Sequence, residues 1–74
     1  MRQIKIGSKY RHFKGNIYEV VNVATHTETE EEFVIYKRHG SDKLWARPME
    51  MFLSEVDHEK YPDVKQRYRF ELIS

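Results

Sequence analysis

Runs of β-branched and aromatic residues, separated by short polar segments, dominate the hydrophobic pattern of this 74-residue chain. Residues 9–13 and 17–24 are two such runs, and they flank the turn-forming segment 14–16. Glycine and asparagine in that segment tolerate the positive φ angles of a tight turn, so the pattern predicts a β-hairpin. The second run is apolar on both faces towards its end, which is typical of a long strand that bends.

A second hairpin is predicted from residues 33–38 and 43–47, which are rich in aromatic and β-branched side chains. Residues 39–42 between them have turn chemistry, and Pro48 ends the fourth strand because proline cannot donate to a β-ladder. The polar, acidic segment 25–32 between the two hairpins has no helical apolar stripe and is predicted to be a loop or a distorted hairpin end.

The hydrophobic period changes after Pro48, because Met49, Phe52, Leu53 and Val56 recur at helical spacing. This spacing predicts a short helix of about two turns over 48–56. After a charged loop, residues 67–73 alternate cleanly, with Tyr68, Phe70 and Leu72 at one phase and charged residues at the other, and they predict a closing strand.

Taken together, these elements predict a mainly β fold, a small SH3-like five-stranded barrel with one short helix before the last strand. Closure would remove the exposed strand edges of a chain too small to cover them otherwise. A three- or four-stranded open sheet with the helix on one face is the alternative. At this length, residues 1–74 are expected to form a single domain.

Composition narrows the possible chemistry. The chain has no cysteine, which excludes a disulfide framework, a thiolate nucleophile and a cysteine-ligated metal site. No apolar run approaches the roughly 20 residues that cross a bilayer, and the first residues lack the apolar core of a secretory signal. We therefore expect a cytoplasmic protein that does not contact a membrane. The net charge of +1 is too small for long-range attraction to nucleic acid, although local basic groups remain.

Two histidines and a carboxylate, His12, His26 and Glu28, form the most suggestive polar set, because such groups bind zinc or act as acid and base. Their spacing does not require it. The segment 26–29 is equally typical of a loop whose side chains bond its own amides. Glu28 is also a candidate ion-pair partner for Arg47, which lies between Trp45 and a proline.

The aromatic residues have two interpretations, core packing or a binding surface with exposed polar ends. Lys14, at a predicted hairpin tip beside a glycine, is placed to meet an anionic group. The candidate ligand-binding residues are Tyr10, His12, Lys14, Tyr18, His26, Glu28, Tyr36, Trp45 and Arg47. The apolar stripe of the predicted helix is interpreted as core packing.

Four stretches of the chain form a specific combination in this order. They are Tyr10-Arg11-His12-Phe13-Lys14-Gly15-Asn16-Ile17-Tyr18-Glu19-Val20, His26-Thr27-Glu28-Thr29, Val34-Ile35-Tyr36 and Leu44-Trp45-Ala46-Arg47-Pro48-Met49-Glu50-Met51-Phe52. Together they resemble a bacterial family, domain of unknown function sixteen-fifty-three. The chain departs from the family pattern at Asn22, where a glycine is expected, at Thr25, where an arginine is expected, and in a longer charged loop before the last strand. The resemblance implies a small stand-alone or appended bacterial domain, and it brings no established activity.

The leading functional hypothesis is a non-catalytic binding module that recognises a peptide or protein partner through an aromatic, histidine-bearing face. The alternative is a single-stranded nucleic-acid binding domain, suggested by basic residues interleaved with aromatic ones. A small metal-dependent or acid/base enzyme is the third hypothesis. The chain has no glycine-rich phosphate loop, nucleophile elbow or His-Glu-x-x-His motif, so we expect no enzyme activity and no cofactor. The sequence does not determine the oligomeric state.

Overall fold

The computed structural model describes residues 3–73, so residues 1, 2 and 74 of the predicted domain lie outside the described part. Five strands and one helix are present: β1 (Lys9–His12), β2 (Ile17–Thr25), β3 (Glu32–Arg38), β4 (Leu44–Pro48), α1 (Met49–Phe52) and β5 (Phe70–Leu72). The prediction of a mainly β fold with five strands and one short helix before the last strand is therefore confirmed. Within residues 3–73, no helix has the length and apolarity needed to span a membrane.

All five strands belong to one antiparallel sheet with the order β4-β3-β2-β1-β5. The first hairpin turns through Gly15, whose φ of 105° lies in the left-handed region that favours glycine. The register of β2 against β3 shifts between Val20 and Asn22, where Val21 is the extra residue of a β-bulge. A bulge bends its strand and increases the local twist, so the nine-residue β2 curves as the sequence pattern predicts.

One face of the sheet, called the inner face below, carries the hydrophobic core. Residues that are directly opposite in an antiparallel pair share a face, so Val20 on β2 and Tyr36 on β3 lie on the inner face together. Helix α1 places Phe52 against the same face, fully buried. The buried core cluster consists of Tyr10, Val20, Val34, Tyr36, Phe52 and Phe70.

The predicted closure into an SH3-like barrel is wrong, because the sheet is open. Within residues 3–73, β4 pairs with β3 alone and β5 with β1 alone. The segment before β5 instead pairs with the segment after α1: the Val56 N–H donates to the Arg67 carbonyl at 2.8 Å, and the Arg69 N–H to the Ser54 carbonyl at 3.0 Å. Backbone groups just before β5, which a closed barrel would pair with β4, are thus already bonded to the segment that follows α1.

Helix α1 is a single turn and not the two turns that the spacing predicts. The Leu53 N–H closes that turn on the Met49 carbonyl at 2.9 Å, and the Ser54 hydroxyl then donates to the Met51 carbonyl at 2.6 Å. A serine that binds a helical carbonyl in this way competes with continuation of the helix. Val56 remains buried, but it packs from an extended segment, and β5 likewise begins at Phe70 and not at residue 67.

Replacing Phe52 by alanine tests whether α1 holds the core together. The ring is fully buried, so Phe52→Ala should lower the free energy of unfolding by about 3–5 kcal/mol through lost burial and a residual cavity. Urea unfolding followed by circular dichroism measures this change. The matched control is Met51→Ala, since Met51 is the preceding residue in the same helical turn and is 46% exposed. An equal effect of the two substitutions would contradict the assignment.

Candidate functional site

A pocket of about 290 Å³ lies on the open side of the sheet, where the end of β1 meets the loop before β5. We call it the basic pocket. Its walls come from five separate parts of the chain, namely the end of β1, the first hairpin turn, β4, the loop over 57–61 and the bend before β5. The lining residues are His12, Phe13, Lys14, Arg47, Asp57, Lys60, Tyr61 and Arg69.

The first hairpin turn fixes one wall of the basic pocket. The Gly15 N–H donates to the His12 carbonyl at 2.8 Å, and the His12 Nδ1 accepts the Lys14 backbone N–H at 3.1 Å. This local bonding holds the His12 ring in place and sets where the Lys14 side chain leaves the turn. The His12 ring also packs edge-on against Phe70, with centroids 4.9 Å apart.

The loop over 57–61 forms the opposite wall. The Asp57 Oδ1 accepts the backbone N–H groups of Glu59 and Lys60 at 3.1 and 3.3 Å, and the Tyr61 N–H donates to the Asp57 carbonyl at 2.9 Å. These bonds make a compact turn that carries Lys60 and Tyr61 to the basic pocket. The Tyr61 ring contacts the Phe13 ring, with centroids 5.1 Å apart, and so joins the two walls.

Arg47 reaches the basic pocket from the edge strand β4. It lies opposite Val34 in the register and therefore on the inner face. Its Nε donates to the Tyr36 hydroxyl at 3.3 Å, and its guanidinium carbon lies 5.6 Å from the centroid of the Phe70 ring. Because Tyr36 belongs to β3 and Phe70 to β5, this arginine spans the opening that separates the two edge strands.

Arg69 lies in the bend immediately before β5. Its carbonyl accepts the Phe13 N–H at 2.9 Å, and the Gln66 side chain binds the neighbouring Tyr68 carbonyl at 2.7 Å and the Arg11 carbonyl at 3.0 Å. The backbone of the bend is thereby fixed against β1. The Arg69 Nε is buried and has no hydrogen-bond acceptor among residues 3–73.

The basic pocket changes the protonation of His12. Burial lowers the pKa of the imidazole below its ordinary value of 6.5, and the positive charges of Arg47, Lys14 and Arg69 lower it further. His12 is therefore neutral at physiological pH. Since Nδ1 accepts a backbone N–H, the proton of the neutral ring is on Nε2, and the ring has one N–H left to donate.

The charge of the basic pocket is strongly unbalanced. Four cationic side chains, Lys14, Arg47, Lys60 and Arg69, line it together with a single carboxylate. That carboxylate, Asp57, already accepts two backbone N–H groups. The chemistry of several cations and N–H donors beside aromatic walls suits an anionic group.

The structure assigns different surroundings to the four aromatic candidates. Tyr10 and Tyr36 belong to the core, and the Tyr10 hydroxyl accepts the Lys5 N–H at 3.1 Å. Tyr18 is half-buried between the His12 and Tyr36 rings, at 6.2 and 5.4 Å. Trp45 is 46% exposed on β4 opposite Tyr36, with the Lys43 Nζ 4.3 Å above its ring. Trp45 therefore lies at the rim of the inner face.

The loop that contains His26 and Glu28 is a self-bonded turn, as its composition indicates. The His26 Nδ1 accepts the backbone N–H groups of Glu28 and Thr29, both at 3.2 Å, and the Thr29 hydroxyl accepts the Glu31 N–H at 3.2 Å. The expected ion pair of Glu28 with Arg47 is wrong: no such contact exists within residues 3–73, because Glu28 is exposed at the tip of the β2–β3 hairpin.

His12, His26 and Glu28 do not converge on a metal ion or a reacting atom. His12 lies beside the start of β2 and His26 follows its end, so a nine-residue strand separates them, about 30 Å at a rise of ~3.3 Å per residue. In the described part of the chain, no group of three histidine, aspartate or glutamate side chains is arranged to hold a metal.

Five residues of the basic pocket were missed by the sequence reasoning: Phe13, Asp57, Lys60, Tyr61 and Arg69. The alternation over 67–73 places Arg69 on the outer face, whereas the bend before β5 interrupts that alternation and turns its side chain into the pocket. The only available indication of Lys60 and Tyr61 was their position in a charged loop before a proline, which does not reveal where the loop packs.

Comparison with known proteins agrees with the resemblance found in the sequence. The family model described as "Protein of unknown function (DUF1653)" matches residues 8–72. The chain belongs to this family. The matched segment includes all five strands and every residue of the basic pocket. No curated protein and no solved structure matches the chain.

A titration of His12 tests the electrostatics of the basic pocket. We expect the imidazole to titrate below pH 6.5 in NMR spectra of the folded protein. Lys14→Gln removes one of the charges that lower the pKa, so the midpoint should move upwards in this variant. Lys43→Gln is the charge-matched control, because Lys43 does not line the pocket. A midpoint at or above 6.5, or equal shifts in both variants, would contradict this account.

The same pKa shift makes stability depend on pH. The unfolded chain protonates His12 near pH 6.5, whereas the folded chain protonates it only at lower pH. Over the interval between these two values the unfolded state binds more protons, so the free energy of unfolding should fall as the pH falls. Urea unfolding at a series of pH values measures the slope. In His12→Gln this part of the slope should disappear, and an unchanged slope would refute the assignment.

Proposed function

We propose that this chain is a binding module that recognises an acidic segment of a partner protein through the basic pocket. Residence in a bacterial cytoplasm is part of this proposal. The observation that supports it is the convergence of four cationic side chains on one concave site that holds a single, already bonded carboxylate. Such a site attracts negative groups and repels positive ones, so it selects the partner by charge.

The edge of the sheet favours a peptide as the ligand. Within residues 3–73 the outer side of β4 is unpaired, and its residues Leu44 and Trp45 are 57% and 46% exposed. An extended peptide that pairs with an open edge gains main-chain hydrogen bonds, and pockets next to that edge then select its side chains. Arg47 near the end of β4 links this edge to the basic pocket.

Binding is better supported than acid/base catalysis. The His12 Nδ1 and the Asp57 Oδ1 are both occupied by backbone N–H groups of their own turns. What the basic pocket offers to a ligand is therefore mostly positive charge and N–H donors, beside the second oxygen of the Asp57 carboxylate. The cations and N–H donors orient an anion but do not take a proton from it.

Single-stranded nucleic acid is the second candidate ligand. The aromatic walls favour it, because Phe13 and Tyr61 lie together with the Lys14 Nζ 5.9 and 5.6 Å from their ring centroids. Bases stack on such rings while cations contact the phosphates. The small volume of the basic pocket favours a single side chain over a run of nucleotides.

A direct binding experiment tests the proposed function. A glutamate-rich peptide added at low salt should change the fluorescence of Trp45, the single tryptophan of the chain, and the affinity should fall as salt rises. Arg69→Gln should weaken binding about tenfold, or ~1.4 kcal/mol. Lys65→Gln is the charge-matched control, since Lys65 is exposed and does not line the pocket.

Two outcomes would overturn the proposal. One is that the peptide fails to bind the wild-type protein at low salt. The other is that Arg69→Gln and Lys65→Gln weaken binding equally. Tight binding of a single-stranded oligonucleotide with no binding of the peptide would favour the second candidate.

A further inference from the structure

The basic pocket carries more positive charge than one carboxylate ligand would balance. Four cationic side chains against the single carboxylate of Asp57 leave an excess of three positive charges, and His12 is neutral. A ligand carboxylate brings one negative charge and two acceptor oxygens, whereas a phosphate monoester brings about −1.5 to −2 and three strong acceptor oxygens. The charge of the pocket therefore favours the phosphate monoester.

The hydrogen-bond donors point to the same group. The Arg69 Nε is buried and has no acceptor within residues 3–73, and a buried N–H of this kind normally has a partner. The Arg47 guanidinium is oriented by the hydrogen bond from its Nε to the Tyr36 hydroxyl, and this bond does not use its terminal N–H groups. Arginine suits phosphate because its planar N–H groups match two phosphate oxygens at once.

The His12 ring adds a third kind of donor. Its Nδ1 accepts the Lys14 N–H, so in the neutral ring the proton is on Nε2. Lys14 and Lys60 contribute ammonium groups above the Tyr61 ring, at 5.6 and 5.5 Å from its centroid. Donors from the hairpin turn, β4, the loop and the bend thus surround one volume, as a ligand with three equivalent oxygens requires.

This inference rests on the proposed function. We propose that the acidic group recognised in the basic pocket is the phosphate monoester of a phosphorylated side chain on the partner protein. The pocket volume of about 290 Å³ also holds the side chain that carries the phosphate, which packs against the Phe13 and Tyr61 rings. Arg47 and Arg69 hold the phosphate oxygens, and Lys14 and Lys60 supply further positive charge at the rim.

The experiment compares peptides that differ at one position. One series carries serine, phosphoserine or glutamate, and a second carries tyrosine, phosphotyrosine or glutamate, in an otherwise identical sequence. Isothermal titration calorimetry gives the affinities. In at least one series the phosphorylated peptide should bind at least about tenfold more tightly than both unphosphorylated peptides of that series. NMR should also show the pKa of His12 rising on binding, because a negative charge then lies beside the ring.

Substitutions locate the effect in the basic pocket. Arg69→Lys retains the charge but lacks the planar N–H groups, so it should weaken binding of both peptides. The phosphorylated peptide should lose more affinity than the glutamate peptide, because a phosphate monoester offers three acceptor oxygens and a carboxylate two. Lys65→Gln serves again as the control and should leave the preference for phosphate unchanged. Circular dichroism confirms that each variant is folded.

The outcomes separate this inference from the proposed function. If the glutamate peptides bind as tightly as the phosphorylated ones, the phosphate inference is overturned and the acidic-segment proposal stands. If none of the peptides binds, both are overturned. If only a 5′-phosphorylated oligonucleotide binds, the phosphate is recognised on a nucleic acid and the protein partner is overturned.

Discussion

The stacked rings of Phe52 and Phe70 join the helix to the last strand. Their centroids are 4.1 Å apart and their planes differ by 7°, whereas the neighbouring Tyr36 meets both rings edge-on. The pair fills the opening between the edge strands with side chains instead of backbone hydrogen bonds. Because 74 residues leave room for only a small core, this cluster of large rings supplies much of the apolar burial that holds the strands together.

The open sheet and the basic pocket are two consequences of that arrangement. Where a barrel would close by pairing β4 with β5, this chain places the Arg47 guanidinium 5.6 Å from the ring centroid of Phe70. The backbone before β5 is bonded to the segment after α1 and to β1, which leaves the Arg69 side chain to line the opening. The edge of β4 stays unpaired within residues 3–73, next to that same opening. The core and the candidate site therefore share their boundary at Phe70.

The electrostatics of the site differ from those of the rest of the surface. The chain as a whole is almost neutral at +1, yet four of its cations meet at one pocket while acidic residues gather elsewhere, as in the β2–β3 loop. Like charges held close together repel, and the neutral, partly buried histidine beside them adds no further positive charge. An anion would relieve this repulsion. Separation of charge over a small surface gives selectivity for a partner without the strong overall charge that produces non-specific attraction.

The sequence by itself determined the elements whose cause is local. Alternation and turn residues identified both hairpins, and the composition of 26–29 indicated a self-bonded loop. The sequence left two interpretations of Tyr10 and Tyr36, and the structure places both in the core. Three of the candidate residues, His12, Lys14 and Arg47, do line the basic pocket. The tertiary structure decided that the edge of the sheet stays open and that the Arg69 side chain turns inward. The physical reason is the sequence separation of the residues involved. Hydrophobic periodicity shows which residues a few positions apart share a face. The basic pocket instead joins segments that are far apart in sequence, through a bend that interrupts this periodicity.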